Sequence, residues 1–525
     1  MQIGKKYFLK LIFLMSYILL NCSGQKKQPN IIFFLVDDLG WKDTEVYGSE
    51  FYETPNINKL AEDGVRFTQA YAACHVCSPT RASILTGKYP ARLQLTDWLK
   101  GRSNIMPRSN FDYERLKTAK FHQQLPFEEQ TIAEELKSNG YKTAIFGKWH
   151  LGESPSDPLA HGFDIHIPKG WNKGWPKAGY YAPFKFDDIE DSEGEYLTDR
   201  ITDKALNFID QNKDKPFFLY LSLFSVHDPI QGREDLIDKY QLKLEKLASN
   251  DNPNFILEGN PDDPLPLLDD DLKNLIKQPT HKEFKVLPQR TVKIKQKQDN
   301  VHFAAMVESM DESLGRVMSK IKKLGIDENT IVIFFSDNGG MSGANFGNPK
   351  RVVSPDKLDK AFSTSNLPLR GAKGWLYEGG IRVPLIVKWP GKVNGGGVSD
   401  RQVISTDFYP TILEMLGISS KPAQHVDGKS FVKAMENKPY TRDAIFWHFP
   451  HYSNHGMQSP GGAIRKGDYK LIEYFENNSI QLFNLKYDIS EQNDLSETEP
   501  VKAAELLSLL HQWRKDVSAQ MMTEK

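Results

Sequence analysis

Five short runs of the chain are apolar almost without interruption: "NIIFFLV" (30–36), "YKTAIF" (141–146), "FFLYLSLFSV" (217–226), "TIVIFF" (330–335) and "VPLIVKW" (383–389). They are rich in β-branched and aromatic residues and too continuous for burial on one side only, so they predict strands of a parallel sheet covered on both faces. Helical spacing fills the intervals. "TPNINKLAEDG" (54–64) has Thr54 and Pro55 at its start and Gly64 after its end, and "TIAEELKSNG" (131–140) repeats that pattern. "LTDRITDKALNFIDQN" (197–212) and "FAAMVESMDESLGRVMSKIKKLG" (303–325) place apolar residues three and four apart. Strand–helix alternation of this kind predicts an open α/β sheet with right-handed crossovers.

Four of the runs end in polar or charged groups: Asp37-Asp38, Gly147-Lys148-Trp149-His150, His227-Asp228 and Ser336-Asp337-Asn338-Gly339-Gly340. The fifth ends at Pro390-Gly391. Open parallel sheets bind ligands at the carboxyl edge of their strands. Asp37, Asp38, Lys148, His150, His227, Asp337 and Asn338 are therefore expected to converge. Residues 240–300 are polar and rich in Pro and Asp, and "NPDDPLPLLDDD" (260–271) reads as an exposed loop. Beyond about residue 440 the pattern changes to antiparallel strands with polar turns, "GGAIRKGDYKLIEYF" and "IQLFNLKYDISEQNDL", and a final amphipathic helix over 499–517. The organisation expected is a large domain over 30–440 and a smaller α+β unit over 441–525.

Composition narrows the function classes. The 525 residues carry 67 Lys and Arg against 68 Asp and Glu, a net charge of −1, without the basic excess of a general nucleic-acid binder. The N-terminus stands apart: Lys5, Lys6 and Lys10 precede "LIFLMSYILL" (11–20), an apolar run too short for a mature membrane span. Residues 1–22 read as an export signal. "LLNCSG" resembles a bacterial lipobox, with Cys22 as the lipidated first residue and 23–29 as a tether. The expected location is the periplasm or the outer membrane of a bacterium, with the membrane met only through the lipid anchor.

Of three cysteines, Cys74 and Cys77 then remain, three positions apart. They offer no disulfide framework, and the pair lacks the second half of a metal site. Ser78 and Pro79 predict an N-cap and first helical residue, with a helix running to Gly87. A helix start gathers free N–H groups that favour anions, and Arg81 would add a fork of donors. Taken alone, Cys77 reads as well as a buried structural cysteine or half of a redox pair. Asp37, Asp38, Asp337 and Asn338 are hard oxygen donors, suited to Ca²⁺ or Mg²⁺ rather than Zn²⁺.

"CSPTR" (77–81) with "SILTG" after it, "GKWHLG" (147–152), "SDNGG" (336–340) and "LRGAKGWLYEGGIRVPLIVKWPG" (369–391) resemble, in order and spacing, the motifs of the type I sulfatases. "PNIIFFLVDDLGW" (29–41) resembles that family's opening strand, so the likeness spans nearly the whole mature chain. The resemblance implies an α/β, alkaline phosphatase-like fold: a large mixed, mostly parallel sheet between helices, with a smaller C-terminal α+β domain. It implies that Cys77 is oxidised to formylglycine by a maturing enzyme that reads the CxPxR motif. One hydroxyl of the aldehyde hydrate attacks sulfur, and loss of the proton from the other expels sulfate. One Ca²⁺ is implied, held by Asp37, Asp38, Asp337, Asn338 and residue 77. Arg81 would hold the hydrate, Lys148 and Lys373 would neutralise the sulfate oxygens, His150 would take the hydrate proton, and His227 would protonate the leaving alcohol.

The expected substrate is a sulfated polysaccharide or oligosaccharide. The segments 98–110 and 161–181 are rich in Trp, Arg, Lys and His, which suits sugar rings and extra sulfates. His75, Arg102, His161 and His448 are candidate substrate contacts, with His451 as a further one. Two other readings stay open: a phosphomonoester or phosphodiester hydrolase on the same fold, and an inactive glycan-binding protein.

Overall fold

The computed structural model describes residues 28–99, 114–170, 174–190, 192–247, 253–262, 292–343, 362–453 and 455–525. The large sheet contains β1 (Asn30–Val36), β2 (Val65–Tyr71), β3 (Lys142–Gly147), β4 (Ile165–Ile167), β5 (Phe217–Ser222), β6 (Thr330–Ser336), β7 (Arg382–Lys388) and β8 (Gly397–Ser399). Their spatial order is β8-β2-β7-β6-β1-β5-β3-β4, and the two-residue strand Val403–Ile404 also pairs with β2. From β6 to β4 every pairing is parallel. β1 lies at the centre, in register with β5 on one side and β6 on the other.

The alternation of a strand divides the core. Ile32, Phe34 and Val36 face α1 (Pro55–Asp63), while Ile31, Phe33 and Leu35 face α2 (Cys77–Thr86) and α3 (Ile132–Ser138). The first face is also covered by α4 (Leu197–Asn212), α5 (Glu234–Lys246) and α6 (Val301–Lys323), and the second by α7 (Phe408–Leu416). Burial on both faces is the reason these strands read as continuous apolar runs.

Behind the sheet's edge a four-stranded antiparallel sheet is formed by β9 (Ile445–Phe449), β10 (Gly461–Lys466), β11 (Tyr469–Tyr474) and β12 (Ile480–Asn484). It is backed by α8 (Pro500–Asp516), which buries Ala503, Leu506, Leu510 and Trp513. One apolar cluster joins this sheet to Tyr71, Tyr89, Trp375 and Tyr377 of the larger unit. The fold is thus a mixed, mostly parallel sheet between helices with a smaller antiparallel domain. No helix among the described residues is long and apolar enough to cross a membrane; the expected signal and Cys22 lie outside them.

Three local expectations need correction. The run 383–389 forms a strand, but β7 is antiparallel to both neighbours. Its carboxyl end therefore points away from those of β1, β3, β5 and β6. The run 217–226 leaves the ladder after Ser222, because Leu223–Val226 turn to bond the backbone of Leu35 and Asp37 instead. The segment beginning at Asn260 is not exposed where it is described: Asn260 and Asp262 are buried and bind Met457 and Ser459. The remainder of 260–271 lies outside the described residues.

Candidate active site

Four parallel strands end side by side, and their following residues meet. Asp37 hands its N–H to the Ser225 carbonyl at 2.9 Å, and Asp337 donates to the Val36 carbonyl at 3.1 Å. Asp38 takes a left-handed conformation, φ 63°, which turns its carboxylate inward, while its N–H points to Asp337 Oδ1 at 3.3 Å. Ser336 Oγ accepts from Leu39 N–H and donates to the Asn338 carbonyl, so one serine ties the two acidic turns together.

β3 delivers the basic residues through a tight turn. Gly147 has φ +106°, and a Cβ there would lie 1.9 Å from the Ser222 carbonyl oxygen. That atom is backbone and accepts from Lys148 N–H at 2.7 Å, so it cannot step aside. Gly147→Ala is expected to cost about 3 kcal/mol or more, from backbone strain plus overlap. Thermal unfolding checks this; a variant with the wild-type midpoint would contradict it.

α2 begins two residues earlier than its composition suggests. Cys77 is already helical and Val76 is the N-cap. Ser78 is therefore not the cap; its Oγ accepts from Leu99 N–H at 3.0 Å. Thr80 fastens the entry instead, accepting from Cys74 N–H at 3.2 Å and donating to the Cys74 carbonyl at 3.0 Å. Pro79 still falls in the first turn, where no N–H is needed. All ten residues of the helix are buried. Arg81 points to the strand ends, with Nε and Nη2 each 2.8 Å from Asp337 Oδ2, and Nη1 2.6 Å from Ser222 Oγ and 3.1 Å from the Lys148 carbonyl.

Charge fills the centre. Lys148 Nζ lies 2.6 Å from Asp37 Oδ2. Lys373 Nζ lies 2.7 and 2.8 Å from the two oxygens of Asp38, and Asn338 Nδ2 donates to Asp38 Oδ1 at 2.8 Å. His227 Nε2 is 3.6 Å from Asp38 Oδ2, and its Nδ1 is 3.0 Å from Asp228 Oδ1 and 2.8 Å from the Asp228 carbonyl. Ligand atoms of Asp37, Asp38, Cys77 and His227 all lie within 4.8 Å of one another.

The environment drives like groups apart. Burial and then the Asp337 charge raise the Asp37 carboxyl to about 6. Burial would raise Asp38 too, but His227, Lys373 and Lys148 outweigh it and hold Asp38 below the usual carboxylate range. Burial opposes a charge on His227, yet the Asp38 carboxylate overcomes it and lifts the imidazole well above its ordinary value. His150, with φ 56°, is pushed well below its ordinary value by burial and then by Lys148 and Arg81. Its Nε2 is 3.1 Å from the Leu99 carbonyl and its Nδ1 is buried without a hydrogen bond. The two histidines are thus shifted in opposite directions, the arrangement that separates an acid from a base.

The donor set fits a hard divalent cation. Asp37 Oδ1 and Asn338 Oδ1 are buried oxygens with no hydrogen-bond partner, next to crowded carboxylates. Asp337 and Asp38 differ from Asp37 and Asn338, because both oxygens of each are engaged: those of Asp337 by Arg81 and the Asp38 N–H, those of Asp38 by Lys373.

The candidate substrate contacts fare unevenly. His75 is buried, its ring 4.2 Å from that of Phe449, and its carbonyl accepts from Gly374 N–H at 3.0 Å, beside Lys373. His161 packs between the rings of Phe127 and Trp149 with Nδ1 3.8 Å from Glu134 Oε2. His448 is turned to the Gln520 carbonyl at 2.8 Å and His451 to Thr96 Oγ1 at 2.8 Å. Arg102 lies outside the described residues. Two participants escaped the sequence reading, and Asp228 entered it only as the polar end of a run. Ser222 lies inside the run 217–226 and ends β5. His455, a histidine in a polar loop with no signal around it, is buried among the charges of Lys373, Asp38, His227 and Asp228.

Comparison with known proteins follows the same lines. The family model described as Sulfatase matches residues 29–418, and one described as N-sulphoglucosamine sulphohydrolase, C-terminal, matches 372–519. A curated sulfatase of Formosa agariphila is 31% identical over 92% of this chain and 88% of its own. The N-acetylglucosamine-6-O-sulfatase of Bacteroides thetaiotaomicron is 26% identical over 95% and 89%. The solved structure of Ps i-CgsB in complex with k-i-k-neocarrahexaose is 26% identical, covers 93% of each chain and superposes with a TM-score of 0.67.

Proposed function

The chain belongs to the sulfatase family and is a sulfatase, and from that premise we propose that it removes sulfate esters from a sulfated polysaccharide or oligosaccharide. The N-acetylglucosamine-6-O-sulfatase and the structure in complex with k-i-k-neocarrahexaose support that class of substrate. Asp37, Asp38, Asp337 and Asn338 would hold Ca²⁺ beside residue 77. A bound calcium ion supplies positive charge that polarises a sulfate oxygen. Oxidation of Cys77 to formylglycine supplies a hydrated aldehyde, which can attack sulfur and afterwards release it.

The chain's own residues divide the work. Arg81, fixed by Asp337 and Ser222, orients the first turn of α2 and presents position 77 to the substrate. The amines of Lys148 and Lys373 meet the sulfate oxygens, where charge shifts in the transition state. His227 donates its proton through Nε2 to the departing alcohol oxygen, with Asp228 holding Nδ1. His150 accepts a proton from residue 77. The domains proposed for this work are 30–440 for the chemistry and 441–525 as the supporting unit. Residues 1–22 would direct export, and Cys22 would carry the lipid.

The observation that carries this reading is the gathering of Cys77, Asp37, Asp38 and His227 in one buried cluster. Its test has two arms. Mass spectrometry of the peptide 71–88 from active protein is expected to register the aldehyde, and complete retention of the thiol in active material would overturn the mechanism. Dialysis against a chelator is expected to slow sulfate release by at least about tenfold, with recovery on adding calcium alone; an unchanged rate would remove calcium from the reading.

A further inference from the structure

Lys373 lies on a loop between two residues that carry no part of the chemistry, Arg370 and Glu378. The loop closes on itself: Gly379 N–H bonds the Arg370 carbonyl at 2.8 Å and Trp375 N–H the Ala372 carbonyl at 2.9 Å. Lys373 N–H then bonds the Gly340 carbonyl at 3.0 Å, next to the Asn338 turn. Glycines permit this. A Cβ on Gly380 would lie 2.0 Å from the Trp375 carbonyl oxygen, and one on Gly374 1.8 Å from that of His455.

Both ends of the loop are held from the C-terminal domain, and by the same residue. Glu491 accepts Glu378 N–H on Oε2 at 2.7 Å, and its carbonyl accepts Arg370 Nη1 at 2.8 Å. Lys470, on β11, bridges Glu491 Oε1 at 2.8 Å and Glu378 Oε1 at 3.0 Å. Glu378 Oε2 accepts from Tyr71 Oη at 2.7 Å. Arg370 also grips Glu258 with two bonds, at 3.0 and 2.7 Å. The side chains of Glu378, Lys470 and Glu491 are 0% exposed.

This is a costly way to join two domains. Each buried ion loses several kcal/mol of hydration, and well-packed apolar side chains would serve cohesion at least as well. Burial raises the Glu491 carboxyl to about 7 despite Lys470. Glu491 also has a left-handed backbone, φ 52°, a strained state for a residue with a Cβ. What such a cluster adds over apolar packing is direction.

We propose that Glu491 and Lys470 are positioning residues of the active site: through the Arg370–Glu378 loop they aim the Lys373 amine at Asp38 and the sulfate. The inference rests on the role given to Lys373 above. Glu491→Gln keeps the shape and the acceptor for Glu378 N–H but leaves Lys470 with one carboxylate. It is expected to lower kcat ten- to a hundredfold, about the cost of a 1 Å misplacement, with KM changed less than about threefold. In a Lys373→Met background the same substitution is expected to cost less than about threefold, since the group it aims is gone.

Equal losses in both backgrounds would overturn the proposal, because a purely structural defect multiplies with any other. Should Glu491→Gln fail to accumulate, Arg370→Lys loosens the same loop from its other contact and enters the same cycle. Full turnover by Lys373→Met would overturn the role of Lys373 and this inference together. Unchanged turnover by Glu491→Gln beside an impaired Lys373→Met overturns this inference alone.

Discussion

Cys77→Ser is expected to lower sulfate release by at least about 10⁴-fold while leaving the unfolding temperature within a few degrees of wild type. The magnitude follows from losing a nucleophile whose partners act only together with it. The small stability change follows from geometry. Cys77 is buried at the first turn of α2, and the entry to that helix is fastened by Thr80 and the Cys74 backbone rather than by position 77. A serine could attack sulfur but lacks the second hydroxyl that lets the ester collapse, so a single slow burst is the most it should deliver. Measuring sulfate release at substrate excess separates a burst from turnover. Wild-type turnover by the variant would sink the formylglycine reading. Phosphatase activity gained by Cys77→Ser, with no sulfatase activity in the wild type, would favour the phosphoester alternative.

Arg81→Met should produce the largest loss of stability. Arg81 is 1% exposed, and its guanidinium serves Asp337, Ser222 and the Lys148 carbonyl together. Removing it leaves Asp337 buried with a lone charge and strips two further acceptors. Breaking a buried pair from one side costs about 3–5 kcal/mol. Activity should vanish as well, because the same bonds fix the start of α2. Arg81→Lys restores the charge but not the planar fork, so it should recover part of the stability and little of the rate. Urea unfolding monitored by fluorescence, beside sulfate release, tests both claims. A Met variant as stable as wild type would mean that the Asp337 charge is compensated elsewhere.

The convergence of Asp37, Lys148, His227 and Asp337 was legible because each follows a strand buried on both faces, and polar residues at such an end have few other uses. Strand direction was not legible in the same way. "VPLIVKW" is as apolar as its neighbours, and apolar content is unchanged when a strand runs backwards. β2 escaped notice because its Arg66, Thr68 and Gln69 interrupt the apolar series near the sheet's edge. Ser78 is a good cap by type, yet Val76 takes that position, and the approach of Cys74, a matter of tertiary path, gives the fastening of the helix entry to Thr80. His161 and His448 illustrate a further ambiguity. An imidazole among aromatic residues serves packing as readily as ligand binding, and both are taken up by neighbours. The Glu491 cluster left no periodic trace, since it joins positions 258, 370, 378, 470 and 491, far apart in the chain, through ion pairs and single side-chain-to-backbone bonds.

The burial of α2 also sets an order of events during synthesis. The helix is roofed by α7 and by Ser405, whose hydroxyl lies 2.6 Å from Ser83 Oγ and accepts from Ala73 N–H at 3.0 Å. Cys77 itself is closed in by Asp37, Asp38 and His227, whose ligand atoms lie within 4.8 Å of its own, so it is sealed once those strand ends are in place. Under the proposed mechanism a maturing enzyme must reach that side chain, and a sealed fold would refuse it. On that proposal, conversion at position 77 would precede the closing of the strand ends around it.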